Sequence, residues 1–254
     1  DILDKHKLLS TFKSVKPNWV FHLAALPRIQ PSFQDPLTHD DANVRTTFNL
    51  IEAIKIYPIN ALINSSSSAI YGNPSILPTP EESAIAPLSP YAVQKYTAER
   101  YLHILGKFNA IPVCSLRYFN PYGTRSFNPQ NPDNAYSSVI GVFEHLKKTN
   151  AILNITGDGS QQRDFIHVRD LAEANILAAK KISLTTDKVY NVGFGETVSI
   201  LDLAKLLNHP YQFIPKRPGE ADITYADTTA LKKLGWQPKI QLKTYLAEKK
   251  KASL

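Results

Sequence analysis

The 254-residue sequence predicts an α/β fold: a doubly wound parallel sheet with a smaller α+β lobe towards the C-terminus. Two observations carry this reading. Trp19-Val20-Phe21-His22-Leu23-Ala24-Ala25 is apolar almost throughout, as a strand covered on both faces is. Similar short runs at 61–63, 113–118 and 189–192 are separated by segments whose apolar residues recur at helical spacing. A third observation locates the chemistry. Hydroxyl side chains begin at Ser65, where the strand at 61–63 would stop, and open α/β sheets gather ligands at the carboxyl ends of their strands.

Residues 3–15 read as a helix with Leu8, Leu9 and Phe12 on one stripe, closed by Pro17. After the strand from Trp19 comes a loop with Arg28 and Ser32. Val44, Phe48, Ile51 and Ala53 give 41–54 an apolar helical face. Five prolines between 73 and 90 exclude one regular element there. Ser89 as N-cap and Pro90 at the first position open a helix that runs on through 105. Beyond the strand at 113–118 lie a polar loop at 128–134 and a helix opened by Ala135-Tyr136-Ser137-Ser138-Val139-Ile140. A strand at 153–156, a helix to about 179 and a strand at 189–193 follow. Gly157-Asp158-Gly159 holds one acid, too few oxygen ligands for a cation, so no metal is expected. His22 reads as a hydrogen-bonded core histidine and His167 as structural.

Composition narrows the partners. A net charge of +7 suits an anionic ligand such as a nucleotide diphosphate. The basic residues are scattered, and Lys249-Lys250-Lys251, the only run of three, reads as a solvated tail, so nucleic acid is not expected. No apolar run approaches the ~20 residues of a membrane span, so no membrane contact is expected. The single Cys114 lies in the apolar run at 111–116. It reads as a buried strand residue and fits a reducing, cytoplasmic setting.

The chemistry concentrates in Asn64-Ser65-Ser66-Ser67-Ser68-Ala69-Ile70-Tyr71-Gly72 and Ser89-Pro90-Tyr91-Ala92-Val93-Gln94-Lys95. Tyr91 and Lys95 are four apart and share a helix face. A phenol titrates near 10, too high for a base at neutral pH, and an ammonium one turn away favours the phenolate. A serine hydroxyl at the strand end can share the proton. On an arbitrary helix this pair is a core tyrosine and a solvated lysine; the serine-rich strand end makes convergence the better reading.

These stretches resemble the active-site region of the extended short-chain dehydrogenase/reductase family, in its nucleotide-sugar epimerase and dehydratase branch. The similarity continues through His22-Leu23-Ala24-Ala25-Leu26, Leu116-Arg117-Tyr118-Phe119-Asn120-Pro121-Tyr122-Gly123, Arg163-Asp164-Phe165 and Arg217-Pro218-Gly219-Glu220. It implies a Rossmann-type NAD-binding domain at 1–120, continued by 163–192, and a nucleotide-sugar lobe at 121–162 and 193–254. NAD is the implied cofactor, a UDP-sugar the substrate, and a homodimer joined by helices near 41–54 and 91–105 the assembly. Asp1, Ile2, Leu23, Ala24, Ala25, Leu26 and Asn43 are implied to bind NAD, with Ser65, Tyr91, Lys95, Tyr118 and Pro121. On the substrate side the resemblance implies Arg28, Ser66, Asn120, Ser138, Val139, Asn154 and Thr156. Arg163 and Arg217 would clamp the diphosphate, with Asn120 bonding it, and Glu220 would hold ribose hydroxyls. The family's phosphate-cradling Gly-x-x-Gly-x-x-Gly turn has no counterpart here. The first glycine is Gly72 and methionine is absent, so the first strands and that turn are expected to lie outside these residues.

The implied catalytic set is Tyr91 as base toward the sugar C4 hydroxyl, Lys95 lowering its pKa, and Ser67 sharing the proton. Dehydratases of the branch carry Asp-Glu after this serine, and decarboxylases a glutamate; Ser68 and Ala69 stand here. C4 epimerisation through a 4-keto intermediate is therefore expected. The alternatives are a dehydratase, a decarboxylase, a UDP-glucuronate epimerase or a non-catalytic nucleotide-sugar-binding relative. Counting from Arg217 places Thr224 at the family's size gate, which implies room for an N-acetylated sugar beside the plain hexose.

Overall fold

The computed structural model describes residues 1–128 and 137–252. Most of the loop expected at 128–134, with Ala135 and Tyr136, lies outside the described residues. Four parallel strands, Trp19–His22, Ala61–Ser67, Val113–Tyr118 and Lys188–Val192, pair in that order. Strand residues alternate between two cores. Ala61, Ile63, Cys114 and Leu116 pack against Ala174 and Ala178 of the helix Val168–Lys180 and against Trp236. Leu62 and Val113 point the other way, onto Leu8 and Phe12 of Lys5–Val15, Leu50 and Ile54 of Thr46–Ile56, and Leu102 of Pro90–Phe108. Helices thus cover both faces, as a doubly wound sheet requires.

Four local expectations need correction. Trp19 and Phe21 stay 39% and 37% exposed, since no strand pairs with the outer side of Trp19–His22 among the described residues. The expected helix at 41–54 begins with a π-helical turn, Asp41–Arg45. The wider turn rotates the stripe, so Phe48 faces outward and meets Tyr101 edge-on at 4.7 Å. The loop expected around Ser32 is a helix, Ile29–Gln34. Lys249 to Lys251 belong to a helix, Leu242–Ala252, and the Lys249 ammonium lies 3.6 Å from Glu144.

The lobe is built from small sheets. Leu153–Thr156 pairs with Tyr211–Ile214, and Gln162–Asp164 lies between Ile223–Thr224 and Thr197–Ser199. Pro121–Tyr122 pairs with Ile166–His167. Asp164 pins this region: its fully buried carboxylate accepts from the backbone N–H groups of Phe194, Gly195 and Ala226 at 2.6, 3.0 and 3.1 Å.

A buried ion pair fixes the long helix Pro90–Phe108 to the sheet. Arg117 Nε and Nη2 donate to the two Glu99 carboxylate oxygens at 3.1 and 2.7 Å. Arg117 Nη1 donates to Tyr71 Oη and Glu81 O, and Tyr71 donates to Asn191 Oδ1 at 2.8 Å. Breaking such a pair leaves an uncompensated buried charge, at a cost of about 3–5 kcal/mol. Arg117→Met should lower the unfolding free energy in urea by about that amount. Adding Glu99→Leu should recover part of the loss, whereas equal stability of wild type and Arg117→Met would show the pair to be idle.

Candidate active site

The sheet and the long helix converge at the serine-rich strand end. The register sets Ser65 opposite Leu116, Ser66 opposite Arg117 and Ser67 opposite Tyr118. Ser67 Oγ accepts from Ala69 N at 3.2 Å and opens the 3₁₀ turn Ser68–Tyr71. Gly72 must end that turn: at φ 60° a Cβ would sit 2.0 Å from Ala86 O. Ser89 Oγ caps the long helix through Ala92 N at 3.2 Å, with Pro90 next, as the sequence predicts. Tyr91 and Lys95 then face the same cavity, of about 940 Å³, within the usual range for small-molecule sites. The Ser67 hydroxyl hydrogen-bonds the Tyr91 phenol.

Burial dominates the electrostatics of the site. Burial pushes the Tyr91 phenol above the usual range, opposed by the Ser67 hydrogen bond and by the charge of Arg28. Lys95 stands one turn further along the same helix, buried at the same cavity. Burial holds the Lys95 ammonium down to about 8, with Glu99, one turn further on, pulling the other way. His22 is also corrected. Burial and then the Lys95 charge hold it down to about 4, so it is neutral, and it makes no hydrogen bond among the described residues.

Most of the expected site residues line this one cavity. Leu23, Ala25, Ser65, Tyr118 and Pro121 join Tyr91 and Lys95 on one wall. Arg28, Ser66, Asn120, Ser138 and Val139 continue it, and Asn154, Thr156, Arg163, Arg217, Glu220 and Thr224 close the lobe side. Asp1, Ile2, Ala24, Leu26 and Asn43 are not among its lining residues. Asp1 accepts from Leu3 N, and Ile2 packs against the core of the first helix. The Asn43 amide is used within the protein: it accepts from Leu26 N at 2.8 Å and donates to Leu26 O and Gln94 Oε1 at 3.0 and 3.1 Å. It therefore ties Leu26 to the long helix. Asn120 is also hydrogen-bonded within the protein. Its Nδ2 donates to Asp164 O and Thr224 Oγ1, both at 2.9 Å, which leaves its carbonyl oxygen as an acceptor.

Arg163 is 9% exposed and meets Glu220 at 3.6 Å, while Arg217 is exposed on the same wall. Gln30 and Gln161 also line the cavity without having been singled out; adjacency to the Arg163 motif is the only sequence signal for Gln161. A second constellation carries no such function. Asp187, His103 and Ser115 follow one another at 3.1 and 2.9 Å in the order of a nucleophilic triad, but Ser115 is fully buried and accepts from Asn64. No substrate can reach it.

The residues fit the nicotinamide and ribose side of a dinucleotide. Ser66 Oγ is buried with no hydrogen-bond partner among the described residues, and the buried Lys95 lines the same cavity. Leu23, 53% exposed, offers an apolar edge at the end of the first strand.

Residues 1–193 match the model of the NAD dependent epimerase/dehydratase family. The UDP-glucose 4-epimerase of Bacillus subtilis (strain 168) is 32% identical, over 98% of this chain and 78% of that protein. The crystal structure of UDP-glucose 4-epimerase with UDP-glucose from Thermotoga maritima superposes with a TM-score of 0.91 at 31% identity, over 100% of this chain and 84% of that one. The UDP-N-acetylglucosamine 4-epimerase of Methanobrevibacter ruminantium M1, in complex with UDP-N-acetylmuramic acid, gives 0.86 at 30% identity, over 100% and 82%. With its Rossmann-type sheet and its Ser67, Tyr91 and Lys95 at one cavity wall, the chain belongs to the NAD-dependent epimerase/dehydratase family.

Proposed function

We propose that this chain catalyses C4 epimerisation of a UDP-sugar through a 4-keto intermediate. One observation carries the reading: Ser67, Tyr91 and Lys95 meet on one wall of a cavity whose lobe side bears Arg163 and Arg217. The Tyr91 phenolate would take the proton of the C4 hydroxyl, with Ser67 bonded to both oxygens in turn. NAD, when bound, supplies the hydride acceptor and returns the hydride. Lys95 would hold the nicotinamide ribose. Glu220 is the only carboxylate among the described lining residues, and it pairs with Arg163. Elimination of water therefore has no acid at the reacting carbon, which favours an epimerase over a dehydratase.

On the lobe side, two guanidinium forks suit the diphosphate. Asn120 holds Thr224 at the wall, and a threonine there leaves space that a tyrosine would fill. UDP-N-acetylglucosamine and its galacto epimer are therefore proposed as substrates beside UDP-glucose and UDP-galactose. A homodimer is proposed through the outer face of the two helices that carry Phe48, Val93, Tyr101 and Ile104, all more than a third exposed. The unpaired, buried Cys114 agrees with a cytoplasmic setting.

Tyr91→Phe should lower turnover by roughly two to four orders of magnitude, and near-wild-type turnover would remove the phenol from the mechanism. Arg163→Ala should weaken UDP binding, measured calorimetrically, by roughly 1.5–3 kcal/mol; unchanged affinity would make Arg163 a partner of Glu220 only. Thr224→Tyr should depress kcat/KM for the N-acetylated sugar and spare UDP-glucose, since overpacking costs about 1–3 kcal/mol. An equal fall for both sugars, or a wild type that ignores N-acetylated sugars, would refute the gate.

A further inference from the structure

We infer that Gln30 and Phe33 are positioning residues for Arg217, a seat on which the Arg217-Pro218-Gly219-Glu220 turn rests above the cavity. The two sides of this contact lie far apart in the chain. Gln30 and Phe33 stand on the short helix Ile29–Gln34, which is tied to the tyrosine helix because Ser32 Oγ accepts the Tyr91 N–H at 3.0 Å. The turn follows the lobe strand Tyr211–Ile214. Gln30 Nε2 donates to Pro218 O at 2.9 Å, across 188 positions of sequence. Beside it, Gly219 at φ 75° comes so close to the Phe33 ring that a Cβ would sit 2.7 Å from Cε2, and 3.0 Å from Leu88 O. Gln30, Leu88, Arg217 and Gly219 all line the cavity, so the seat joins its two walls.

The two ends of the turn are held differently. The lobe itself anchors Glu220: it meets Arg163 at 3.6 Å, and Arg163 Nη1 donates to Gln162 O and Asp222 O at 2.9 and 3.2 Å. Asp222 N donates to Asn73 Oδ1, and the Lys216 ammonium donates to the Asp222 carboxylate, both at 2.7 Å. Arg217 is exposed on the cavity wall and has no hydrogen bond or ion pair among the described residues. Its direction is therefore set by the backbone that carries it. Pro218 O and Gly219 are the points where that backbone meets the opposite wall. Pro218 also fixes one backbone angle between Arg217 and the docked glycine. A cation on a free loop must be ordered when its ligand binds, at a cost in affinity; a loop already docked avoids that cost.

The inference rests on Arg217 holding the diphosphate, and its test separates the two. The readouts are the calorimetric affinity for UDP and the kcat and KM for UDP-galactose. Gln30→Met keeps the length of the side chain and loses the donor. It should weaken UDP binding about two- to tenfold, the net worth of one hydrogen bond. KM should rise by a similar factor with kcat in place, the mark of binding lost equally in ground and transition states. Gly219→Ala sets a methyl group between the turn and its seat and should weaken UDP further. In an Arg217→Ala background Gln30→Met should change UDP affinity by less than about twofold, because the seat acts through that guanidinium. An undiminished loss in that background would overturn the inference and make Gln30 a direct ligand contact. Unchanged UDP affinity in Gln30→Met, beside a weakened Arg217→Ala, would overturn the seat alone. Unchanged affinity in Arg217→Ala would overturn the seat and the diphosphate reading together. A joint fall of kcat and melting temperature in Gln30→Met would overturn the inference as well and leave the contact a structural one.

Discussion

The bidentate contact between Arg117 and Glu99 sets the position of everything at the site. Glu99 lies on the long helix, two turns from Tyr91 and one from Lys95, and Arg117 stands on the strand beside the serines. Tyr71, Glu81 and Asn191 extend the same network to the turn after the serines, to the proline-rich loop and to the last strand. A buried ion pair is a poor source of stability compared with apolar packing. Here it locks a helix in register with a strand end, which packing of Leu102 or Ala98 alone does loosely. The phenol and the Ser67 hydroxyl meet because of that lock.

The site is then a contest between desolvation and a few charges. Burial raises the Tyr91 phenol, away from working pH, and lowers the Lys95 ammonium, towards it. The neutral His22 adds no charge beside Lys95. On the lobe side Asp164 gathers three backbone donors, and through Asn120 it fixes Thr224 at the wall. The two ends of the cavity thus rest on two buried acids, Glu99 beneath the phenol and Asp164 beneath the gate.

The sheet and the convergence of Ser67, Tyr91 and Lys95 on one cavity were legible because they depend on local pattern. Continuous apolar runs, a Ser-Pro helix start and four-residue spacing are written into neighbouring positions. What was not legible depends on distance through space. The outward turn of Phe48 follows from a π-helical turn that no periodicity marks. Asn43 and Asn120 sit in the expected motifs, yet their amides are used by Leu26, Gln94, Asp164 and Thr224, partners up to 104 residues away. Likewise the spacing of Lys95 correctly places it beside the phenol along the helix. It does not show that burial lowers the ammonium to about 8, or that Glu99, one turn further on, opposes that shift.

The central claim is that this cavity inverts one sugar carbon by removing and returning the same hydride. The most direct measurement is the fate of deuterium at C4 of UDP-galactose, followed by NMR in the UDP-glucose formed. The account predicts that the deuterium stays at C4 in the epimer and that none enters from deuterated solvent. Loss of the label to water, or uptake from it at C4, would contradict hydride return and point to inversion through proton exchange.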